Sequence, residues 1–286
     1  MKTNLIKAIV HLVKLPIIQI VKMNEGKNRA NNQGEGLEKF IIDLFCGTFN
    51  EANEQIRLEK RCELFSYLGN QNNPPDAMIR AGDAIEIKKI ETFGAPLALN
   101  SSYPKAKLYP DNPMLATACV SCEDWVEKDI IYAIGQINKQ NILNSLCFVY
   151  GIDYADNLET YERIKLKIKE GILTIDEVEF SETKELGRVN KVDTLGITYL
   201  RIRGMWHIEN PIKVFNYIYQ PQKQATFNLM ALINIDKYMS FSEEDRNELE
   251  KTEKYLENLV IKDVRIKCPD NPAQLKDAKL ITFFLQ

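Results

Sequence analysis

The sequence predicts an α/β fold, a mixed β-sheet flanked by helices, and three observations carry that prediction. Asp76–Ile79 and Ala84–Ile90 flank the four-residue stretch Arg80-Ala81-Gly82-Asp83, the pattern of strand, tight turn and strand. From Cys122 to Leu143, the residues Trp125, Ile130, Ile134, Ile137 and Ile142 recur at near-helical spacing, which predicts a helix. Leu146-Cys147-Phe148-Val149-Tyr150 then makes an apolar run closed by Gly151, as in a strand buried on both faces. Strand, strand, helix and buried strand is an α/β order.

The remaining elements follow in chain order. Leu5, Ile9, Leu12 and Val13 fit one face of an N-terminal helix. Lys7, His11 and Lys14 interrupt it, so the segment reads neither as a secretory leader nor as a membrane span of ~20 apolar residues. A cytoplasmic protein with no membrane partner is expected. Asn24 to Gln33, with Gly26 and four asparagines, reads as a loop. Gly34 to Phe45 reads as a helix with Leu37, Phe40, Ile41, Leu44 and Phe45 on one broad face, stopped by Gly47. Gly69 to Pro75 is a turn signal. The stretch from Gly94 to Pro113 holds Pro96, Pro104, Pro110 and Pro113 and reads as an extended functional loop. Tyr161 to Gly171 reads as a charged helix, Val178 to Ile218 as further strands, Phe241 to Leu259 as a helix rich in Glu and Lys, and Leu280 to Leu285 as a strand. No domain boundary stands out. The expectation is one domain over residues 1–286, with a core at 34–155 and elaborations at 156–286.

A chain of 286 residues can bury a substantial core, and 45% hydrophobic with 27% charged residues is ordinary for a soluble globular protein. The formal net charge of −3 counts mildly against nucleic acid, whose binders are often basic. It does not exclude it, because the field at the contact surface decides. The six cysteines are scattered; Cys119 and Cys122 form a CxxC with no second pair to complete a zinc site, so they are expected to be reduced thiols near a helix start.

The chemistry concentrates in one hairpin. Side chains alternate across a strand, so in Ile85-Glu86-Ile87-Lys88 the isoleucines can face the core while Glu86 and Lys88 share the other face. The turn folds Asp76 back beside Glu86. Two carboxylates and an ammonium at one point suit phosphodiester hydrolysis. Mg²⁺ favours one or two carboxylates with other oxygens, and Asp76, Glu86 and the backbone carbonyl of Ile87 are the expected ligands. Such an ion would polarise a phosphate and help generate hydroxide. Lys88 would hold or deprotonate the attacking water, or stabilise transition-state charge. An acid, a gap and ExK also describe a solvated strand face. The Asn-Pro-Pro turn before Asp76, the tight hairpin and apolar Ile85, Ile87 and Ile90 favour a site.

With Pro75-Asp76 and Glu86-Ile87-Lys88, the arrangement resembles the PD-(D/E)xK nuclease superfamily. More narrowly, the chain resembles the NgoPII group of type II restriction endonucleases. The stretches that carry the likeness are Asn28-Arg29-Ala30-Asn31-Asn32, Leu37-Glu38, Asp43-Leu44-Phe45, the block from Pro75 to Lys88, and Leu99-Asn100-Ser101-Ser102-Tyr103-Pro104-Lys105. The resemblance implies a Mg²⁺-dependent, site-specific deoxyribonuclease that cuts unmethylated double-stranded DNA at the palindrome GGCC. It implies a PD-(D/E)xK-like mixed sheet flanked by helices, with additional C-terminal strands and helices. It implies a homodimer, and a cognate DNA methyltransferase as genetic partner. It further implies an acid on the first core helix, for which Glu38 is the candidate and Glu35 the fallback, set against plain solvated positions. Two other readings stand beside this one: a PD-(D/E)xK nuclease of repair or recombination, and a non-catalytic DNA-binding protein with an accidental ExK.

For DNA contacts, Asn100, Ser101, Ser102, Lys105 and Lys107 crowd the loop after the hairpin. Arg201 and Arg203 share one face of Tyr199–Met205, and bidentate arginine to guanine is the commonest specific base contact. Surface or ion-paired arginines are the alternative. His207 is expected as a structural or phosphate-contacting residue rather than a catalytic one.

Overall fold

A computed structural model describes residues 2–20, 29–70, 73–176 and 178–286. Its helices and strands, in chain order, begin with α1 (Leu5–Lys14), α2 (Arg29–Cys46), α3 (Glu54–Leu64), β1 (Phe65–Asn70), β2 (Asn73–Ile79) and β3 (Ala84–Ile90). β4 (Leu97–Asn100), β5 (Lys107–Leu108), α4 (Thr117–Val120), β6 (Lys128–Ile137) and β7 (Leu143–Tyr150) follow. Then come α5 (Leu158–Ile172), β8 (Glu179–Ser181), β9 (Gly187–Asn190), β10 (Leu200–Ile202), β11 (Trp206–Ile208) and α6 (Pro211–Val214). The chain ends with β12 (Phe227–Asn234), α7 (Ile235–Ser240), α8 (Glu243–Tyr255), β13 (Leu259–Lys267) and β14 (Leu275–Leu285).

The most apolar runs of the chain become the centre of a mixed sheet ordered β1-β2-β3-β6-β7-β12-β14-β13, with β5 added beside β6. β3 pairs parallel with β6 and β7 parallel with β12; the other neighbours along the sheet are antiparallel. Its strands separate two cores. On one side Ile85, Ile87, Ile131, Ala133 and Phe148 meet α1 and α2. On the other Ile130, Tyr132, Ile134, Val149 and Leu232 meet Leu97, Leu99, Cys119 and Phe215. The α/β sheet flanked by helices is thus as expected. Residues 227–285, placed above among the elaborations, supply three strands of this sheet.

Several elements differ from the sequence reading. The helix expected over 122–143 is instead strand β6. A strand at the middle of a sheet is buried on both faces and loses its polar alternation, and the branched isoleucines that mimicked helical spacing favour strand. The helix expected over 241–259 is α8, shorter at both ends: the Ser242 side chain accepts the Asp245 N–H as an N-cap, the separate helix α7 ends before it at Ser240, and the chain is strand again from Leu259. Residues 178–218 hold the short strands β8 to β11 and then α6. β8, β9 and β10 form a sheet of their own, and β11 pairs with β4. Of the loop expected at 24–33, residues 24–28 lie outside the described residues and the chain is helical from Arg29. Gln71 and Asn72 of the 69–75 turn also lie outside them. α1 is buried more widely than one face, from Leu5 to Val13, because α2 and α8 both pack on it.

The hairpin that carries Asp76, Glu86 and Lys88 is held at its turn. Ile79 N–H donates to Asp83 O at 2.9 Å, and Ala81 takes the left-handed φ of 51°. Asp83 accepts the Tyr150 hydroxyl at 2.8 Å and faces Lys237 Nζ at 2.5 Å, which also reaches Asp129 at 2.7 Å. Lys128 Nζ donates to Gly82 O at 2.7 Å. The turn is therefore fastened to β6, β7 and α7, three elements of rigid context.

On the other side of β2, β1 runs so close that a Cβ on Gly69 would stand 2.4 Å from Pro75 O and 3.0 Å from the Cα of Asp76. Gly69→Ala must push that backbone away. Thermal unfolding should show a loss of roughly 1–3 kcal/mol, and the hydrolytic activity expected of the hairpin should fall by more than the stability loss alone explains. Unchanged activity in a folded Gly69→Ala protein would show that β1 does not set the position of Asp76.

Candidate active site

β2 and β3 pair only at Ala77–Ile85 and Met78–Ala84. Beyond these, β2 presents Pro75 and Pro74, which have no N–H to give a ladder. The strands part, and the side chain of Asp76 fills the gap: its Oδ2 accepts the Ile87 N–H at 2.5 Å. In a strand a residue's N–H and C=O point the same way, so the Ile87 carbonyl also turns to the side that β2 has left.

Glu86 and Lys88 lie where alternation put them, on one face. Lys88 Nζ meets Glu86 Oε1 at 2.6 Å, while Glu86 Oε2 is buried with no hydrogen-bond partner. These groups open into a cleft of about 200 Å³ lined also by Asn100, Ser101, Ser102, Glu185 and Arg203. Larger cavities exist; one of about 550 Å³ is lined by Lys107, Lys237 and Lys276, but these lysines already pair with acids. Size does not mark the site; unsatisfied chemistry does.

Electrostatics in the cleft are strained in a particular direction. Burial, and then the neighbouring Glu86, push the Asp76 carboxyl well above the usual range, against the pull of Lys88. Burial works against the Lys88 ammonium, yet Glu86 and Asp76 raise its pKa overall. Glu38 on α2 is also raised, by burial foremost, with Lys88 opposing and Glu35 and Glu86 adding to it. Glu38 thus stands within electrostatic reach of the hairpin, and Glu35 bears on it from the same helix.

Among the described residues no group of three or more His, Cys, Asp or Glu side chains is gathered to hold a metal ion. A hard cation such as Mg²⁺ does not require one, since it keeps waters and takes one or two carboxylates. The donors present fit it: two half-buried carboxylates in one cleft, one oxygen with no partner, and a carbonyl turned the same way.

The other expected residues divide. Asn100, Ser101 and Ser102 line the cleft. Lys105 does not offer an exposed ammonium: the residue is buried, and its Nζ donates to Ser102 Oγ and, at 3.3 Å, to Tyr103 O. Lys107 lies outside the cleft, paired with Glu127. Arg203 lines the cleft and Arg201 does not. Each meets Glu185 through Nε, at 2.8 and 3.0 Å, with side chains 59% exposed. His207 is exposed on β11, opposite Ala98 of β4. Cys119 is buried against Met78 and Cys122 bonds back to the Cys119 carbonyl, so the CxxC is a pair of free thiols in a packed turn. Glu185 is not visible in sequence, because its partners lie 16 and 18 residues away, Arg201 on β10 and Arg203 just after it, and nothing local distinguishes it.

Comparison with known proteins adds a family. Residues 3–267 match the family described as NgoPII restriction endonuclease. The chain is 52% identical to a protein of Neisseria gonorrhoeae called Type II restriction enzyme NgoPII, over 99% of this chain and 100% of that one. No solved structure matches it.

Lys105 yields a prediction of its own. Burial lowers its pKa from 10.5 to about 8, with Lys165 adding to the lowering and Glu86 and Glu162 opposing it. Between those two pH values the unfolded chain holds a proton that the folded chain has shed, so folding gains stability as pH rises through the window; below 8 the cost of the buried charge stands in full. Lys105→Met should therefore melt higher than the parent at pH 7. That advantage should shrink as pH climbs toward 10.5, as thermal melts across the range will show. A difference independent of pH would mean that the buried charge carries no penalty.

Proposed function

Because the chain belongs to the NgoPII restriction endonuclease family, we propose that it is a type II restriction endonuclease. It hydrolyses both strands of unmethylated double-stranded DNA at a short palindrome, GGCC, with Mg²⁺, through a PD-(D/E)xK site. The observation that carries this reading is the convergence of Asp76, Glu86 and Lys88 in one cleft where β2 leaves β3. GGCC is the site that the resemblance implies, and the exposed guanidinium of Arg201 is suited to a guanine edge.

Each residue has a share in the chemistry. Asp76 and Glu86, with the Ile87 carbonyl, would hold the ion, which when bound supplies positive charge to the phosphate and lowers the pKa of water. Asp76 is pre-set for this by the Ile87 N–H, which leaves its second oxygen free of that bond. Lys88 holds the attacking water or stabilises charge on the phosphate oxygens. Glu38, behind them on α2, is suited to orient a water or a second ion. Ser101, Ser102 and Asn100 offer neutral donors to the sugar–phosphate backbone. A cognate methyltransferase would protect the host's own sites.

A palindrome has two-fold symmetry, so a homodimer with one cleft per strand is the economical assembly. Of the 25 large hydrophobic side chains exposed among the described residues, twelve fall between Leu158 and Met205, and α5 buries none of its residues. So much bare apolar surface in one segment suits a protein partner rather than polyanionic DNA. On α5, Glu159, Glu162 and Arg163 leave a negative balance toward one end, and Lys165, Lys167, Lys169 and Glu170 a positive one toward the other, so an antiparallel second copy would bring opposite charges together.

Two outcomes follow. Unmethylated plasmid should be cut into discrete fragments in Mg²⁺, be bound but scarcely cut in Ca²⁺, and stay intact in EDTA, with end sequencing reporting GGCC. Asp76→Ala, Glu86→Ala and Lys88→Ala should each lower cleavage by roughly 10³-fold or more with the fold retained. Cleavage in EDTA, or a folded variant with near-parental activity, would remove the metal or that residue from the mechanism. In sedimentation, the parent should run as a dimer and the double variant Ile164→Lys, Ile168→Lys as a monomer that nicks rather than breaks plasmid. A parent that stays monomeric on its cut site defeats the dimer, and a variant that stays dimeric defeats this surface.

A further inference from the structure

Glu185 joins two parts of the molecule that are far apart in sequence. It sits between β8 and β9, is only 8% exposed, and lines the catalytic cleft. Both of its oxygens are used. Oε1 accepts the Ser101 hydroxyl at 2.8 Å and faces Arg203 Nε at 2.8 Å; Oε2 accepts Arg201 Nε at 3.0 Å. Burial raises the pKa of this carboxyl, but Ser101, Arg203 and Arg201 lower it below the ordinary range overall.

The way it holds the arginines matters. A guanidinium is planar, with five N–H donors in a fixed fork, so binding its Nε sets the plane while leaving the two Nη groups for another acceptor. A long side chain that would otherwise lose rotamer freedom on meeting a ligand is ordered beforehand. Of the two arginines only Arg203 lines the cleft with Asp76, Glu86 and Lys88. By formal charge, Asp76, Glu86 and Lys88 leave one negative charge there, a poor surface for a phosphate. Arg203 is, with Lys88, one of the two cations that line the cleft, and the Glu185 charge it faces is shared with Arg201 outside it.

Resting on the restriction reading above, we propose that Arg203 is a phosphate-binding residue of the catalytic cleft, gripping the scissile phosphate through its Nη edge rather than reading a base, and that Glu185 is the positioning residue that aims it. Ser101, bonded to the same carboxylate, ties the loop after β4 to that arrangement. Arg201, held by the other oxygen and outside the cleft, is then left to contacts elsewhere on the DNA.

The test uses binding, in Ca²⁺, of two duplexes that carry the cut site. One is unmodified; the other has a neutral methylphosphonate at the scissile position. Arg203→Ala should bind the unmodified duplex about tenfold more weakly, and should lose nothing further on the methylphosphonate duplex. Its preference for the cut site over a duplex with one altered base pair should match the parent's. Glu185→Gln should show the same pattern with a smaller loss, whereas Arg201→Ala should weaken both duplexes alike. Equal losses of Arg203→Ala on both duplexes, or a lost preference between base sequences, would overturn the phosphate role. Parental behaviour of Glu185→Gln on both duplexes would overturn the positioning role, and if that variant fails to melt cooperatively, Glu185→Asp takes its place. A parent protein that prefers no duplex at all would overturn the restriction reading itself, and does so before any substitution is made.

Discussion

One hydrogen bond organises the site: the Ile87 N–H to the carboxylate of Asp76. A backbone donor at the middle of a sheet must find an acceptor, and two successive prolines make the neighbouring strand unable to continue the ladder. A side chain therefore replaces the strand. That substitution opens the cleft and fixes Asp76 to a rigid backbone, and it sets Asp76 within electrostatic reach of Glu86, whose charge raises its pKa. Everything behind it resists the resulting strain. Asp83, Tyr150, Lys128 and Lys237 clamp the turn, and α2 covers the opposite face.

The hairpin was legible in sequence because every interaction that defines it is local. Alternation places Glu86 with Lys88, and the four-residue turn returns Asp76. What failed was non-local. β6 looked helical since a strand covered on both sides has no polar face to reveal its period. β12, equally apolar and buried, shows no strand period of its own in sequence because β7 and β14 enclose it on both edges and both its faces are covered. The charge of Lys105 alone suggests a DNA contact, whereas Tyr132, whose hydroxyl accepts the Lys105 N–H at 2.7 Å, helps draw the residue inward. Glu185 is not legible at all, because its meaning lies in two arginines at the end of β10, distant in sequence.

Charge is placed in this protein where it costs stability. Asp76, Glu38 and Lys105 are each pushed toward their neutral forms by burial. A core of the same volume filled with apolar side chains would be more stable and chemically inert. Buried ionisable groups gathered in one cleft, as Asp76 and Glu86 are, mark a place where a ligand would supply the countercharge that the fold does not.

The order in which the chain is made gives α8 and the last strands a further significance. α1 is complete after fourteen residues yet packs on α8, and the Asn4 amide donates to Asp245 at 2.7 Å. The turn before β3 waits for Lys237, and β12 waits for β14. A ribosome-bound chain that has already exposed Asp76, Glu86 and Lys88 still lacks the anchors that hold them together. The local hairpin alone therefore does not make the site rigid: the ammonium that pins its turn comes from α7, 154 residues further along the chain.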